Sequence, residues 1–237
     1  MQLEKVILIT GCTKGIGLAT AKVFAKAGYR IIGCARNKND LTTTAEILLK
    51  INPSSNPLLL SCDVSKRTDI DSFLNEVLSK ISQIDVLVNN AGVFTPGKLL
   101  TEKEGSLENL LNTNVISAYH ITRAILPNMI ENKTGRVFNI CSIASLRAYE
   151  NGASYTISKF ALLGFSKQLR QETIGTGVNV TAIMPGATYT ASWDGTNLPK
   201  ERFIKAEDVA NTILSICNLS SDANVDEVII HPQQGDI

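Results

Sequence analysis

The sequence predicts an α/β fold: a single doubly wound domain of about seven parallel strands with helices on both faces. Three observations carry this reading. Short apolar runs alternate with amphipathic stretches along all 237 residues. The runs are apolar at nearly every position, so both faces of each strand must be covered. The connections between them are long enough to hold crossover helices, which a parallel sheet requires. With 44% hydrophobic residues, the chain can fill one continuous core.

In order, residues 5–10 read as strand, 16–27 as helix, 30–35 as strand and 41–51 as helix. Asn39-Asp40 directly precedes that last pattern and reads as its N-cap. Residues 57–61 are strand-like, 67–81 helical, 84–88 strand, 107–132 a long helix and 136–141 strand. Helix over 152–171, strand over 178–184, helix over 206–219 and strand over 225–231 complete the set. The stretch from Pro53 to Pro57 is a helix stop and turn. No repeat or Gly/Ser/Pro-rich linker divides the chain, so residues 1–237 are expected to form one domain.

Composition excludes several classes. A formal net charge of +1 without basic clusters offers no field for nucleic acid or an anionic membrane. No run of about 18 apolar residues occurs, and the start, Met1-Gln2-Leu3-Glu4-Lys5, lacks the pattern of a secretory signal. Cys12, Cys34, Cys62, Cys141 and Cys217 are odd in number, lack metal-site spacing and fall mostly in apolar runs. They read as buried thiols of a cytoplasmic protein, with no metal site.

The first strand is followed by Thr10-Gly11-Cys12-Thr13-Lys14-Gly15-Ile16-Gly17. Glycines between a strand and a helix allow tight reversal and close approach of a pyrophosphate to helix N–H groups. Where an NAD site places Asp or Glu, the second strand ends in Ala35 followed by Arg36. Arg36 and Lys14 offer two cations for the 2′-phosphate of NADP(H), and a guanidinium matches phosphate oxygens bidentately.

Tyr155 and Lys159 are four apart on the predicted helix over 152–171, so they share a face. A cation beside a phenol favours the phenolate, moving a group with an ordinary pKa of about 10 toward working pH for proton transfer. Ser142 stands at the carboxyl end of a strand, the ligand side of an open α/β sheet.

With these residues in place, the chain resembles the short-chain dehydrogenase/reductase family over essentially its whole length, and the resemblance implies a Rossmann-type sheet. The matching residues are Gly11 to Gly17; Asp63-Val64, the adenine-contacting pair; Asn89-Asn90-Ala91-Gly92; Asn114; Ser142 with Tyr155-x3-Lys159; and Pro185-Gly186, the nicotinamide loop. Cys12 and Thr188 depart slightly from the usual pattern. The resemblance implies that Tyr155 protonates a carbonyl oxygen, Ser142 hydrogen-bonds it, and Lys159 holds the nicotinamide ribose. Asn114 is implied to kink its helix around a relay water. The implied cofactor contacts are Gly11, Thr13, Lys14, Gly15, Ile16, Gly17, Arg36, Asp63, Val64, Asn89, Ala91, Gly92, Tyr155, Lys159, Pro185, Gly186, Thr188 and Thr190.

Residues 187–204 correspond to the substrate lid, with Tyr149, Tyr189 and Trp193 as apolar walls of a fairly open site, or with Trp193 as a packing anchor. His120 and His231 have no nucleophile nearby in sequence and are not expected to be catalytic. The expected activity is NADPH-dependent reduction of a ketone or aldehyde. The alternatives are a specialised 3-oxoacyl-acyl-carrier-protein or sepiapterin-type pterin reductase, and a non-catalytic NADP-sensing protein. By analogy, relatives form homodimers or homotetramers through the helices beginning near Leu107 and Gly152.

Overall fold

In a computed structural model, residues 4–190, 193 and 195–236 are described. Seven parallel strands form one sheet in the order β3-β2-β1-β4-β5-β6-β7. Along the chain they are β1 (Val6–Thr10), β2 (Arg30–Ala35), β3 (Leu58–Ser61), β4 (Val86–Asn89), β5 (Gly135–Ile140), β6 (Val178–Pro185) and β7 (Glu227–Ile230). Every residue of β1 and β4 is buried, which is why these runs lack polar alternation.

Side chains of β1 sort by parity onto the two faces. Val6 and Leu8 join a core with α3 (Arg67–Lys80), α5 (Ser117–Glu131) and α6 (Ala153–Thr173). Ile7 and Ile9 join the opposite core with α1 (Gly15–Lys26), α2 (Lys38–Ile51) and α7 (Ala206–Cys217). Phe24 of α1 and Ile121 of α5 are fully buried, one on each side, and each contributes about 1.5–3 kcal/mol of transfer free energy.

One expectation needs correction, and one is refined. Asn39-Asp40 is not the cap of α2: the Asn37 side chain accepts from the Asn39 and Asp40 amides, and Asp40 lies in the first turn. The helix read over 107–132 consists of α4 (Ser106–Leu111), a π turn over Asn112–Ile116, and α5, and the kink implied at Asn114 falls inside that turn. Within that turn the Ser117 amide donates to the Asn112 carbonyl, five residues back, so the turn holds one residue more than an α-helical turn. Among the described residues, no helix is long and apolar enough to cross a membrane.

Candidate active site

The sheet order reverses between β1 and β4, and the loops leaving their carboxyl ends flank a crevice. In the first loop, Gly11 and Gly15 have φ of +67° and +52°. A Cβ on Gly17 would lie 2.1 Å from the Gly11 carbonyl oxygen, so the turn closes only over glycine. Cys12 fits because Gly33 has no side chain to meet its thiol, and burial pushes that thiol up to about 12. Thr13 is half-buried beside it.

Lys14 at the N-cap makes no side-chain cap bond, so the first-turn N–H groups of Gly15, Ile16 and Gly17 are open to an anion. The sequence reading missed what braces this turn. Thr10 Oγ1 accepts from the Asn90 and Ala91 amides at 3.0 and 2.9 Å. Asn90 Nδ2 donates to the Thr10 and Gly11 carbonyls at 2.9 and 3.1 Å. Asn89 turns the other way: its Nδ2 donates to Thr122 and Asn139 inside the core, leaving only its backbone near the crevice. The signal was the doubled Asn after a buried strand, since adjacent residues there must face opposite sides.

At the end of β2, Arg36 is exposed, and no carboxylate among the described residues lies within ion-pair distance. Lys14 is instead paired with Asp40 at 3.1 Å. Asp63 follows β3. Partial burial works to raise its pKa, but the hydroxyl and amide of Ser65, the charge of Arg36 and that of Lys66 outweigh it and hold the carboxyl below its usual range. Val64 beside it is buried.

From α6, Lys159 enters beneath the second loop. Only 6% of it is exposed, and its Nζ donates to the Ile140 carbonyl at 2.8 Å. A cation this deep needs such a partner. The same Nζ lies 5.7 Å from the centre of the Tyr155 ring. Gly92 leaves room here, because a Cβ on it would stand 3.7 Å from Lys159 Nζ and 3.3 Å from Asn114 Oδ1. Asn114 is fully engaged: Oδ1 accepts from the Val93 amide at 2.8 Å, and Nδ2 donates to the Val93 carbonyl and Ser158 Oγ.

Ser142 leaves β5 extended and caps a 3-10 turn (Ile143–Ser145) that packs on α6. Its Oγ accepts from the Ala144 amide at 3.1 Å, which leaves the hydroxyl proton free for donation. The Tyr155 ring stands edge-on to Phe94 at 5.0 Å and Tyr149 at 6.4 Å. Burial, and the neighbouring Tyr155, raise the Tyr149 phenol well above its ordinary value, so it stays neutral. Phe94 was absent from the sequence reading; its position just past the Asn-Asn-Ala-Gly loop was the available signal.

Tyr189 and Trp193 share a different aromatic neighbour. Both pack edge-on against buried Phe203, at 5.7 and 4.9 Å, within the segment 187–204. Of the two readings of Trp193, the packing anchor describes this position. Residues 191, 192 and 194 of the expected lid lie outside the described residues. The segment is closed at its base by Thr188 bridging Ile204, with Thr188 Oγ1 donating to the Gly186 carbonyl at 3.0 Å. Thr190 rests on the glycine turn, where a Cβ on Gly15 would meet its methyl at 2.9 Å. Pro185 ends β6, and the Gly186 amide donates to the Ile230 carbonyl.

This chain is 30% identical to the 3-oxoacyl-acyl-carrier-protein reductase FabG of Thermotoga maritima, over 97% of both chains. It is 29% identical to an uncharacterized oxidoreductase of Staphylococcus epidermidis, also over 97% of each. Among solved structures, a metagenomic short-chain oxidoreductase in complex with NADP superposes with a TM-score of 0.84 at 28% identity and 97% coverage of both chains. A single-site variant of actinorhodin polyketide ketoreductase with NADPH gives 0.88 at 26% identity, covering 99% of this chain and 98% of its own. The short chain dehydrogenase profile matches residues 5–200, and with the glycine turn, parallel sheet and crevice described above, the chain belongs to that family.

Proposed function

We propose that this protein is an NADPH-dependent reductase of ketones or aldehydes, running reversibly as an alcohol dehydrogenase. One observation carries the reading: a buried ammonium, Lys159, held between the Ile140 carbonyl and the Tyr155 ring beside Gly92 of the loop after β4. The uncapped first turn of α1, the Gly17 close approach and the exposed guanidinium of Arg36 fit a dinucleotide phosphate ester. Gly11, Thr13 and the amides of Gly15 to Gly17 would hold the pyrophosphate. Arg36, with Lys14 released from Asp40, would hold the 2′-phosphate. Asp63 and Val64 would border the adenine, and Ala91, Gly92, Pro185, Gly186, Thr188 and Thr190 the nicotinamide half.

When bound, NADPH supplies the hydride. Tyr155 gives its phenolic proton to the carbonyl oxygen, and the Lys159 cation favours the negative charge left on the phenol. Ser142 donates to the same oxygen as charge grows there. Asn114 is a positioning residue, locking the π turn to Val93 and to Ser158, the residue next to Lys159. Phe94 and Tyr149, 41% and 44% exposed, wall the phenol with aromatic surface, favouring substrates whose carbonyl adjoins an apolar body. A 3-oxoacyl thioester is the second reading, supported by the likeness to FabG. The five free thiols fit a reducing cytoplasm.

The exposed apolar pairs Ile116 and Tyr119, and Ile157 and Phe160, each three apart on neighbouring helices, favour a homodimer or homotetramer through this face. A monomeric mass by light scattering would remove that part of the proposal.

The test follows NADPH oxidation against aliphatic and aromatic ketones, a 3-oxoacyl thioester and sepiapterin. Turnover of an apolar ketone is expected, and none across the whole panel would favour a binding protein. In the Arg36→Ala variant, NADPH is expected to weaken by about 10- to 100-fold, the range of a charge-assisted hydrogen-bond pair worth about 1.5–3 kcal/mol, with NADH little changed. Equal weakening of both would show that Arg36 does not read the phosphate.

A further inference from the structure

The chain after β7 folds back across the carboxyl end of the sheet. There it meets three segments that the mechanism needs but that share no secondary structure with one another. Asp236 Oδ2 pairs with Nη2 of Arg147, five residues beyond Ser142 on the loop after β5. Its Oδ1 accepts from or pairs with His231 Nδ1 at 2.8 Å. The same oxygen lies 3.0 Å from where a Cβ of Gly186 would stand, so the carboxylate is seated on the first residue after β6. Two residues earlier, the Gln234 carbonyl accepts from Arg202 Nη1 at 3.0 Å, at the far end of the segment 187–204.

β5, β6 and β7 are consecutive neighbours in the sheet, so their carboxyl-end loops lie side by side. The sheet fixes where those loops begin, through the Cys141 amide on the Ile183 carbonyl and the Gly186 amide on the Ile230 carbonyl, but its ladder does not extend to Arg147. The Asp236 carboxylate spans them, and with its side chain only 18% exposed it is the more sheltered member of its pair with Arg147, at 61%. An ion pair this open to solvent adds little to folding stability. Its effect is on which loop arrangements are populated, since breaking it frees two loops at once.

We infer that Asp236 is a positioning residue: through Arg147 and its seat on Gly186, it sets the loop carrying Ser142 at a fixed distance from the loop that begins at Pro185-Gly186. The inference rests on the reductase reading for its catalytic consequence, but the loop coupling stands independently of it. A displacement of about 1 Å in a reacting group is enough to lower a rate by up to about 100-fold. A carboxylate near the chain's end therefore matters to chemistry it never touches.

The experiment compares wild type, Asp236→Asn, Asp236→Glu, and the Arg147→Gln/Asp236→Asn double variant in the full chain. Hydrogen exchange without NADPH is expected to speed up in Asp236→Asn at residues 142–149 and at 186–190 together, with the melting temperature unchanged. The kcat should fall about 10-fold, within the range expected for misplaced groups. Asp236→Glu should restore part of it, and the double variant should be no worse than Asp236→Asn. Exchange unchanged in either loop would overturn the inference, as would a kcat loss accompanied by a general fall in melting temperature. If the wild type turns over no carbonyl, the reductase reading fails on its own and the exchange data alone decide.

Discussion

Tyr155→Phe is expected to lower kcat by about 10²- to 10⁴-fold, the range a positioned general acid contributes, while the dissociation constant for NADPH stays nearly unchanged. The separation follows from what the substitution leaves intact. The ring keeps its edge-on contacts with Phe94 and Tyr149, so the wall of the site is preserved. Lys159 keeps its bond to the Ile140 carbonyl, and Asn114 its bonds to Val93 and Ser158, so the groups around the phenol have no reason to move. Only the transferable proton is lost. Single-turnover absorbance of bound NADPH, with affinity measured by its fluorescence, reads the two quantities separately. Tyr149 is the nearby competitor, but its phenol is held neutral with its pKa raised by burial, a poor acid for this step. More than a tenth of wild-type kcat in Tyr155→Phe would mean that another group delivers the proton.

Much of this arrangement was legible before any coordinates. Periodicity and composition were enough for the alternation of strands and helices, because fully buried strands and crossover helices leave different patterns in the chain. The spacing of Tyr155 and Lys159 placed them on one face of a helix, and the 5.7 Å between Nζ and the ring is the distance such neighbours reach. What could not be read depended on contacts between residues far apart in sequence. The resemblance implied a kink at Asn114, but the partner that holds the π turn there, Val93, lies 21 residues away, and no local propensity encodes that contact. The Lys14–Asp40 pair joins a turn to a helix two elements later, so Asp40 looked like a cap when only its neighbours were considered. Tyr149 and Tyr189 were indistinguishable as aromatic loop residues. Only the fold puts the first beside Tyr155 and the second on Phe203.

Gly17→Ala provides the sharper test of the cofactor end, because two effects of opposite sign compete there. By helix propensity alone, alanine in α1 is better than glycine by about 1 kcal/mol, so a site with open space should gain stability. Gly164 in α6 is such a site, with no atom within 4 Å of an added Cβ, and Gly164→Ala is expected to be neutral or stabilising by up to that amount. At Gly17 the new Cβ would lie 2.1 Å from the Gly11 carbonyl oxygen and 2.5 Å from Asn90 Nδ2. Neither atom can yield alone. Asn90 donates to that carbonyl and to the Thr10 carbonyl, while the Gly11 amide is tied to the Cys34 carbonyl at 2.8 Å. The turn must therefore open as a unit, at an overpacking cost of about 1–3 kcal/mol that outweighs the propensity gain. The displaced atoms belong to the turn proposed to hold the pyrophosphate, so NADPH affinity should fall by at least about 10-fold, the equivalent of about 1.4 kcal/mol. Thermal melts with and without NADPH read both terms. A Gly17→Ala protein as stable as Gly164→Ala, with unchanged affinity, would mean that the turn does not close over Gly17 in solution.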